Sequence, residues 1–282
     1  MTLTSWSARA IGYAALIVTG VMLAVVVAVF PIYWMLVTAM QSGADLFKWP
    51  PNFLPNPDEV QVFERVFTER PVGRWILNSF IVGVGASILS LLLSITTAYA
   101  LSRFRFAGKR IFGFILIFTQ MVPTVLLMVP LFVLFRNIGI LNTLTGLVLA
   151  NTAFVTPITI WILKGYYDSI PVELEEAAMI DGCTRFGALV RIVLPIARPA
   201  IAACAMIAFF EAWNEFAFAV TFVQDQDLWV TSVGLASWIG WLTVSTDVMM
   251  AGAIVFSIPS LLFFLFLQRY LVSGLAAGAV RG

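Results

Sequence analysis

Two stretches of this chain hold side chains whose types and spacing suit chemistry. The first is Glu211-Ala212-Trp213-Asn214-Glu215, set halfway along an apolar run. Glu211 and Glu215 are four residues apart and therefore share one helix face. An acid at the centre of a bilayer costs about 3 kcal/mol on insertion scales, which water, a partner group or a function must offset. Trp213 offers a flat apolar surface on which a sugar ring can stack, while Asn214 and a carboxylate can exchange hydrogen bonds with hydroxyl groups. Two uses fit these residues: the lining of a solute path, or a structural polar contact with another subunit. Gln120 and Asn151 extend the candidate path into two other apolar runs, where they stand among Thr119, Pro123, Thr124, Thr152, Thr156 and Pro157. With Pro130 also present, both runs are expected to be kinked midway, and such prolines release carbonyls that neighbours or water must satisfy, which suits an aqueous path. Interhelical hydrogen bonding is the other use of the Thr and Asn side chains.

The second stretch, PVELEEAAMIDGCTRFGALVRIVLP over residues 171–195, is a polar island in a chain that is otherwise mostly apolar. Ser169 before Pro171 reads as an N-cap followed by a first-turn proline, and Glu173, Glu175 and Glu176 put negative charge where a helix dipole favours it. Gly182 falls where a left-handed C-cap is wanted, Thr184 can cap a second helix, and Pro195 is expected to stop it. Helix, turn, helix follows. Leu174, Ala177 and Ala178 give the first helix a face of mostly small apolar side chains, suited to another protein's groove or to the lipid surface.

The elements that must position these groups are membrane helices. Hydrophobic residues make up 61% of the 282 and charged residues 11%, which excludes a soluble domain. Apolar runs at residues 11–39, 75–101, 111–135, 144–163, 199–223 and 247–271 predict six spans in a single transmembrane domain covering residues 1–282. The first, preceded by Arg9 and interrupted by Pro31, is too long for a signal peptide and is read as a retained, kinked span. Arg9, Arg103, Arg105, Lys109, Arg110, Lys164, Arg185, Arg191, Arg198, Arg269 and Arg281 fall on one side of the spans. Only Lys48, Arg65, Arg70, Arg74 and Arg136 fall on the other. The positive-inside rule then puts both termini and the 169–195 loop in the cytoplasm.

Between the spans, Phe63, Val66 and Phe67 at helical spacing predict a short amphipathic helix on the outer surface. Ser90, Ser94 and Ala98 form a small-residue ridge for close helix packing. Trp229, Trp238 and Trp241 read as interfacial anchors, and the tail after Gln268 as an end without regular structure. The net charge of +1 gives no sign of nucleic-acid binding. The chain has no His and two cysteines, so imidazole catalysis, His metal sites and a disulfide framework are all excluded.

Glu176-Ala177-Ala178, Gly182 and Ile192-Val193-Leu194-Pro195 fill every fixed position of the cytoplasmic EAA loop found in ATP-binding-cassette (ABC) import permeases. Asn78-Ser79-Phe80, the RFRFAGKR turn, Gln120-Met121-Val122-Pro123, Trp213-Asn214-Glu215-Phe216 and the QRY…GLAAGAVRG tail extend the match. Over nearly its whole length the chain resembles the shorter permease of maltose-type carbohydrate importers. The resemblance implies an all-α fold of the type I importer class, with six spans and a cytoplasmic helix-turn-helix coupling loop, in a bacterial inner membrane. It implies three partners: a second homologous permease, a cytoplasmic ATPase dimer docked on the loops, and an extracytoplasmic solute-binding protein. It assigns Glu176, Ala177, Ala178, Asp181, Gly182, Leu194 and Pro195 to ATPase coupling. It also brings residues 274–282 to the ATPase interface and the loop after the fifth span to the binding protein. The chain has no GxxxxGK[ST] loop, so it is expected to be non-catalytic and to bind no cofactor itself, with ATP and Mg on the partner ATPase. The expected cargo is a disaccharide or oligosaccharide; related permeases also carry glycerol phosphodiesters and amino sugars. A different class, a proton-coupled transporter with Glu211 and Glu215 as its relay, would use the same acids, but no inverted repeat accompanies them.

Overall fold

In a bilayer every backbone polar group must be satisfied within the protein, and a helix does this for each apolar run separately. The computed structural model describes residues 8–41, 43, 45–239 and 245–279, and every regular element among them is helical. In chain order the α-helices are α1 (Ala8–Ala39), α2 (Val62–Thr68), α3 (Val72–Arg103), α4 (Lys109–Met121), α5 (Thr124–Asn137), α6 (Leu144–Asp168), α7 (Glu173–Ile180), α8 (Arg185–Ala188), α9 (Leu194–Ile196), α10 (Arg198–Asn214), α11 (Ala217–Phe222), α12 (Thr231–Ala236) and α13 (Thr246–Ala279). Four helices are long and apolar enough to cross a membrane, and up to six spans result if each of two bent pairs counts as one.

One bent pair is the third expected span, bent at the proline where a midway kink was expected; the other lies at the entry to the fifth. The run at 111–135 is broken at Val122 and Pro123, where α4 and α5 meet at 101°. Pro123 has no N–H to continue α4, and Val122 before it is extended, with ψ of 120°. The run at 199–223 is interrupted once, and a second bend lies just before it. Ala197 separates α9 from α10 at a 79° bend, and Glu215 and Phe216 separate α10 from α11.

The described chain divides into two compact units. In one, residues 1–70 with 238–255, the predicted amphipathic helix is present as α2: Val62 and Val66 are buried, while Phe67 stays exposed. Arg65 on α2 pairs with Glu69 at 2.9 Å and with Asp247 at 3.0 Å. Trp238 is fully buried against Gly252, where a β-carbon would fall 2.1 Å from the indole.

The other unit, residues 71–237 with 256–282, is built on α3, α6 and α10. The small-residue ridge packs as expected: Ser90 and Ser94 are fully buried and share Thr159 of α6, at 3.0 and 2.6 Å. On the α10 side, Ser87 donates to the Ala205 carbonyl, and Gly83 lets the Phe209 ring approach. Such contacts let membrane helices associate without a hydrophobic drive between them. One apolar cluster forms around Val82, Leu147, Phe218 and Phe222, and a second around Leu101, Leu163, Val193 and Cys204.

The tail differs from expectation, since α13 continues to Ala279. Leu275, Ala276, Ala277 and Ala279 are strong helix formers, and their propensity outweighs Gly274 and Gly278. Trp241, Arg281 and Gly282 lie outside the described residues.

Candidate functional site: a membrane cavity and a coupling loop

The 169–195 loop folds as helix, turn, helix, with two of its four punctuation residues in the expected role. Gly182 sits at φ +89°, in the left-handed region. Its N–H donates to the Met179 carbonyl at 3.1 Å, and the next N–H, from Cys183, donates to Ala178 at 2.9 Å. This pair of bonds is the Schellman closure of α7. Thr184 caps α8, its hydroxyl accepting from the Gly187 N–H at 3.1 Å.

The other two punctuation residues act differently. Ser169 does not cap α7; it ends α6, and its hydroxyl donates to the Tyr166 carbonyl at 2.7 Å. Helix α7 starts at Glu173 behind Val172, with no side-chain cap. Pro195 does not stop the second helix. A π-helical turn over Leu189–Val193 precedes it, marked by the Leu194 N–H bonding to the Leu189 carbonyl, and the chain stays helical to Ile196. The wider turn accommodates a residue that has no N–H and crowds the carbonyl four positions back.

Glu176, Ala177, Asp181, Gly182 and Pro195 are exposed, whereas Leu194 is partly buried and Ala178 packs inward at 7% exposure. The outward apolar surface therefore comes from Leu174, Ala177, Ile180 and Phe186, the last two at 87% and 69% exposure.

Inside the loop lies a contact that sequence reasoning missed. Glu175 is 3% exposed; it accepts from Arg103 Nε and from the Tyr99 hydroxyl, both at 2.6 Å. Arg103 Nη2 also holds the Ile170 carbonyl at 2.9 Å, and its Nη1 reaches Ser102, which donates to Asp168. One guanidinium thus ties α7 to the C-terminal ends of α3 and α6. The only trace in the sequence is that one of three adjacent acids must face inward on so short a helix; its partner stands 72 residues away.

The intramembrane candidates converge only in part. A cavity of about 470 Å³ is lined by Gln120 and Thr124 at the α4–α5 break, by Asn151, Phe154, Val155 and Ile158 of α6, and by Ile207, Glu211 and the 215–218 segment. Gln120, Asn151, Glu211 and Glu215 therefore meet in one space. Gln120 donates to the Phe154 carbonyl at 3.2 Å and Asn151 to Leu147 at 2.9 Å. Glu215 accepts from the Phe218 and Ala219 N–H groups at 2.7 and 3.0 Å, closing the break between α10 and α11. That supplies the structural polar contact, but within this chain. Glu211 makes no ion pair among the described residues.

Trp213 and Asn214 are not in the lining. Trp213 is 5% exposed and stacks on Phe209 with ring centroids 5.5 Å apart, and Asn214 donates back to the Phe210 carbonyl. The aromatic surfaces in the cavity belong instead to Phe154, Phe216 and Phe218. No local sequence signal separates these from the other phenylalanines of the chain. On the opposite side of the same break, the loop after α11 is pinned: Asn78 holds the Asp227 and Trp229 carbonyls, Arg74 holds Asp227, and Asn142 accepts from the N–H groups of Gln224 and Asp225.

Comparison with known proteins gives one answer. The family model described as binding-protein-dependent transport system inner membrane component matches residues 90–276. The diacetylchitobiose uptake system permease protein DasC of Streptomyces coelicolor is 35% identical, with 90% of this chain and 92% of that one covered. The sulfoquinovosyl glycerol transport system permease protein SmoH of Agrobacterium fabrum is 33% identical over 90% and 89%. The trehalose/maltose transport system permease protein MalG of Thermococcus litoralis is 31% identical over 95% and 96%. In the crystal structure of a bacterial ABC transporter involved in the import of the acidic polysaccharide alginate, one chain superposes with a TM-score of 0.79. It is 25% identical, with 96% of this chain and 99% of that one covered. A polar cavity at a broken membrane helix, a polar helix-turn-helix between spans and this kinship have one meaning: the chain belongs to the binding-protein-dependent inner membrane components, the permease subunits of ABC importers, which work with an ATPase and a solute-binding protein.

Proposed function

We propose that residues 1–282 act as one six-span permease domain that carries a carbohydrate, a disaccharide or oligosaccharide, into the cytoplasm by alternating access. The observation that carries this reading is the cavity. Its volume of about 470 Å³, amide and carboxylate groups at Gln120, Asn151 and Glu211, and phenyl surfaces at Phe154 and Phe216 suit a polyhydroxylated ring. Relatives named for diacetylchitobiose and for trehalose/maltose support a sugar.

In this reading a second homologous permease completes the cavity, and an ATPase dimer holds ATP and Mg and docks on the exposed surface of α7 and α8. The chain itself binds no nucleotide. Glu176, Ala177, Asp181 and Gly182 meet the ATPase, while Ala178, Leu194 and Pro195 shape the loop beneath. Both termini are cytoplasmic, and the pinned loop after α11 faces the solute-binding protein outside. Closure of the ATPases drives the two coupling loops together, and the Arg103–Glu175 tie delivers that movement to α3 and α6 as a rigid-body tilt.

The test is to purify the tagged chain gently from its native membrane and assay the eluate for ATP hydrolysis, with and without binding protein and a panel of oligosaccharides. Co-purification of a second permease and an ATPase stimulated by one loaded sugar is expected. Isolation alone, without ATPase, from several mild detergents overturns the assembly. Stimulation by non-carbohydrate solutes alone overturns the cargo.

A further inference from the structure

Kinship leaves the charge of the cargo open, since the solved relative belongs to an importer of an acidic polysaccharide. The lining of the cavity bears on it directly. Twelve residues surround the space, and the two that are charged, Glu211 and Glu215, are both acids. Among the described residues no Lys or Arg lines it, although the chain has 16 of them.

The two acids are not equivalent. Both oxygens of Glu215 are committed to backbone N–H groups of α11, and its own carbonyl accepts from Ser232 at 2.6 Å. Glu215 is therefore fixed in the wall and holds the broken span in shape. Glu211, one helical turn earlier on α10, is exposed to the cavity with no hydrogen bond or ion pair assigned to it among the described residues, and it is free to meet a solute. The neutral polar groups nearby, Gln120 and Asn151, spend one donor each on carbonyls of α6, at Phe154 and Leu147, and keep their side-chain oxygens as acceptors. The cavity thus presents carboxylate and amide acceptors, a remaining amide N–H on each of Gln120 and Asn151, and phenyl faces, with Glu211 as its uncompensated charge.

We infer that this half of the cavity selects cargo by charge, accepting neutral and amino-bearing sugars and rejecting sugar acids, with Glu211 as the discriminating group. The inference rests on the carbohydrate reading above and narrows it. Two like charges brought together in a partly dehydrated space repel far more strongly than in bulk water, whereas an ammonium group beside the same carboxylate gains an ion pair. A neutral sugar hydroxyl donates to Glu211 and keeps its ring on Phe154 or Phe216.

Saturation-transfer NMR reads weak binding without the binding protein and so reports the cavity alone. The probes are three disaccharides of matched size, one neutral, one amino-bearing and one hexuronate, each titrated onto the complete purified transporter. Wild-type, Glu211→Gln and Glu211→Lys forms are compared after their co-purifying ATPase activity has been checked. Saturable signals from the neutral and amino sugars are expected, with the hexuronate weaker by about tenfold or more. Glu211→Gln should narrow that gap and Glu211→Lys should reverse the order of the two charged sugars.

Equal hexuronate and neutral signals in the wild type overturn the charge reading while the carbohydrate reading stands. An order unchanged by Glu211→Lys overturns the role of Glu211. No saturable signal from any of the three overturns the carbohydrate reading itself.

Discussion

Gly182 is the position at which one residue's backbone decides the shape of the coupling surface. At φ +89° an L side chain is strained, yet a β-carbon placed there meets nothing within 4 Å. The penalty of substitution is therefore conformational rather than steric, about 1–2 kcal/mol for Ala and less for Asn, which tolerates the left-handed region. Because the two Schellman bonds set the exit of α7, that strain displaces Asp181 and the start of α8, where the ATPase docks in the proposed complex. Solute-stimulated ATP hydrolysis in reconstituted complexes should fall in the order wild type, Asn, Ala, Val, with Gly182→Asp uncoupled as well. Equal losses for Asn and Ala would mean that the backbone angle is not what matters. Gly182 and Thr184 were legible in the sequence because their partners lie within five residues. Trp213 was not: periodicity places it in the same span as Glu211 and Glu215, but which face meets the cavity depends on Phe209 and on the break after Asn214, which has neither proline nor glycine to announce it.

At the scale of elements, α7 is too short to hold its position by itself. Isolated helices of this length are unstable in water, and α7 has no side-chain cap at its start. Its placement comes from Glu175, Arg103 and Tyr99, with the two charged side chains only 4% and 8% exposed. Removing one partner of such a pair leaves a buried charge uncompensated and costs about 3–5 kcal/mol, whereas replacing both with apolar groups of similar volume is often close to neutral. Arg103→Ala should therefore lower the thermal midpoint of the assembled transporter markedly, and Arg103→Met with Glu175→Leu should restore much of it. The double variant should still lose solute-stimulated hydrolysis if the pair transmits movement, because the Arg103 bond to the Ile170 carbonyl goes with it. Full stimulation in a stable double variant would reduce the pair to a packing device. The same scale explains what the sequence could not reveal about Ser169 and Pro195. Ser169 is claimed by the end of α6, and a π turn absorbs Pro195; both are outcomes of competition between neighbouring elements rather than of local preference.

For the molecule as a whole, the sequence made the spans and their polar interruptions visible, because apolar length and charge asymmetry are properties of long windows that no single packing contact overrides. Pro123 announced a kink in the third span but not its angle of 101°, and nothing local announced the break at Glu215 and Phe216 within the fifth. The proposed orientation, with the coupling loop inside, can be tested with the protein's own thiols. Cys183 lies half-buried in that loop, with Arg191 Nη1 3.9 Å from its sulfur, and Cys204 is fully buried in α10 against the Thr159 carbonyl. Cys183 is partly open to a maleimide, whereas burial shuts the reagent out of Cys204. A membrane-impermeant maleimide should label one thiol per chain in inside-out vesicles and none in right-side-out cells, with the label lost in Cys183→Ser and kept in Cys204→Ser. Docking of the ATPase on α7 and α8 should slow the reaction, and its removal with chaotrope should restore the rate. Labelling from the outside would invert the topology and, with it, the assignment of this surface to the energy-coupling partner.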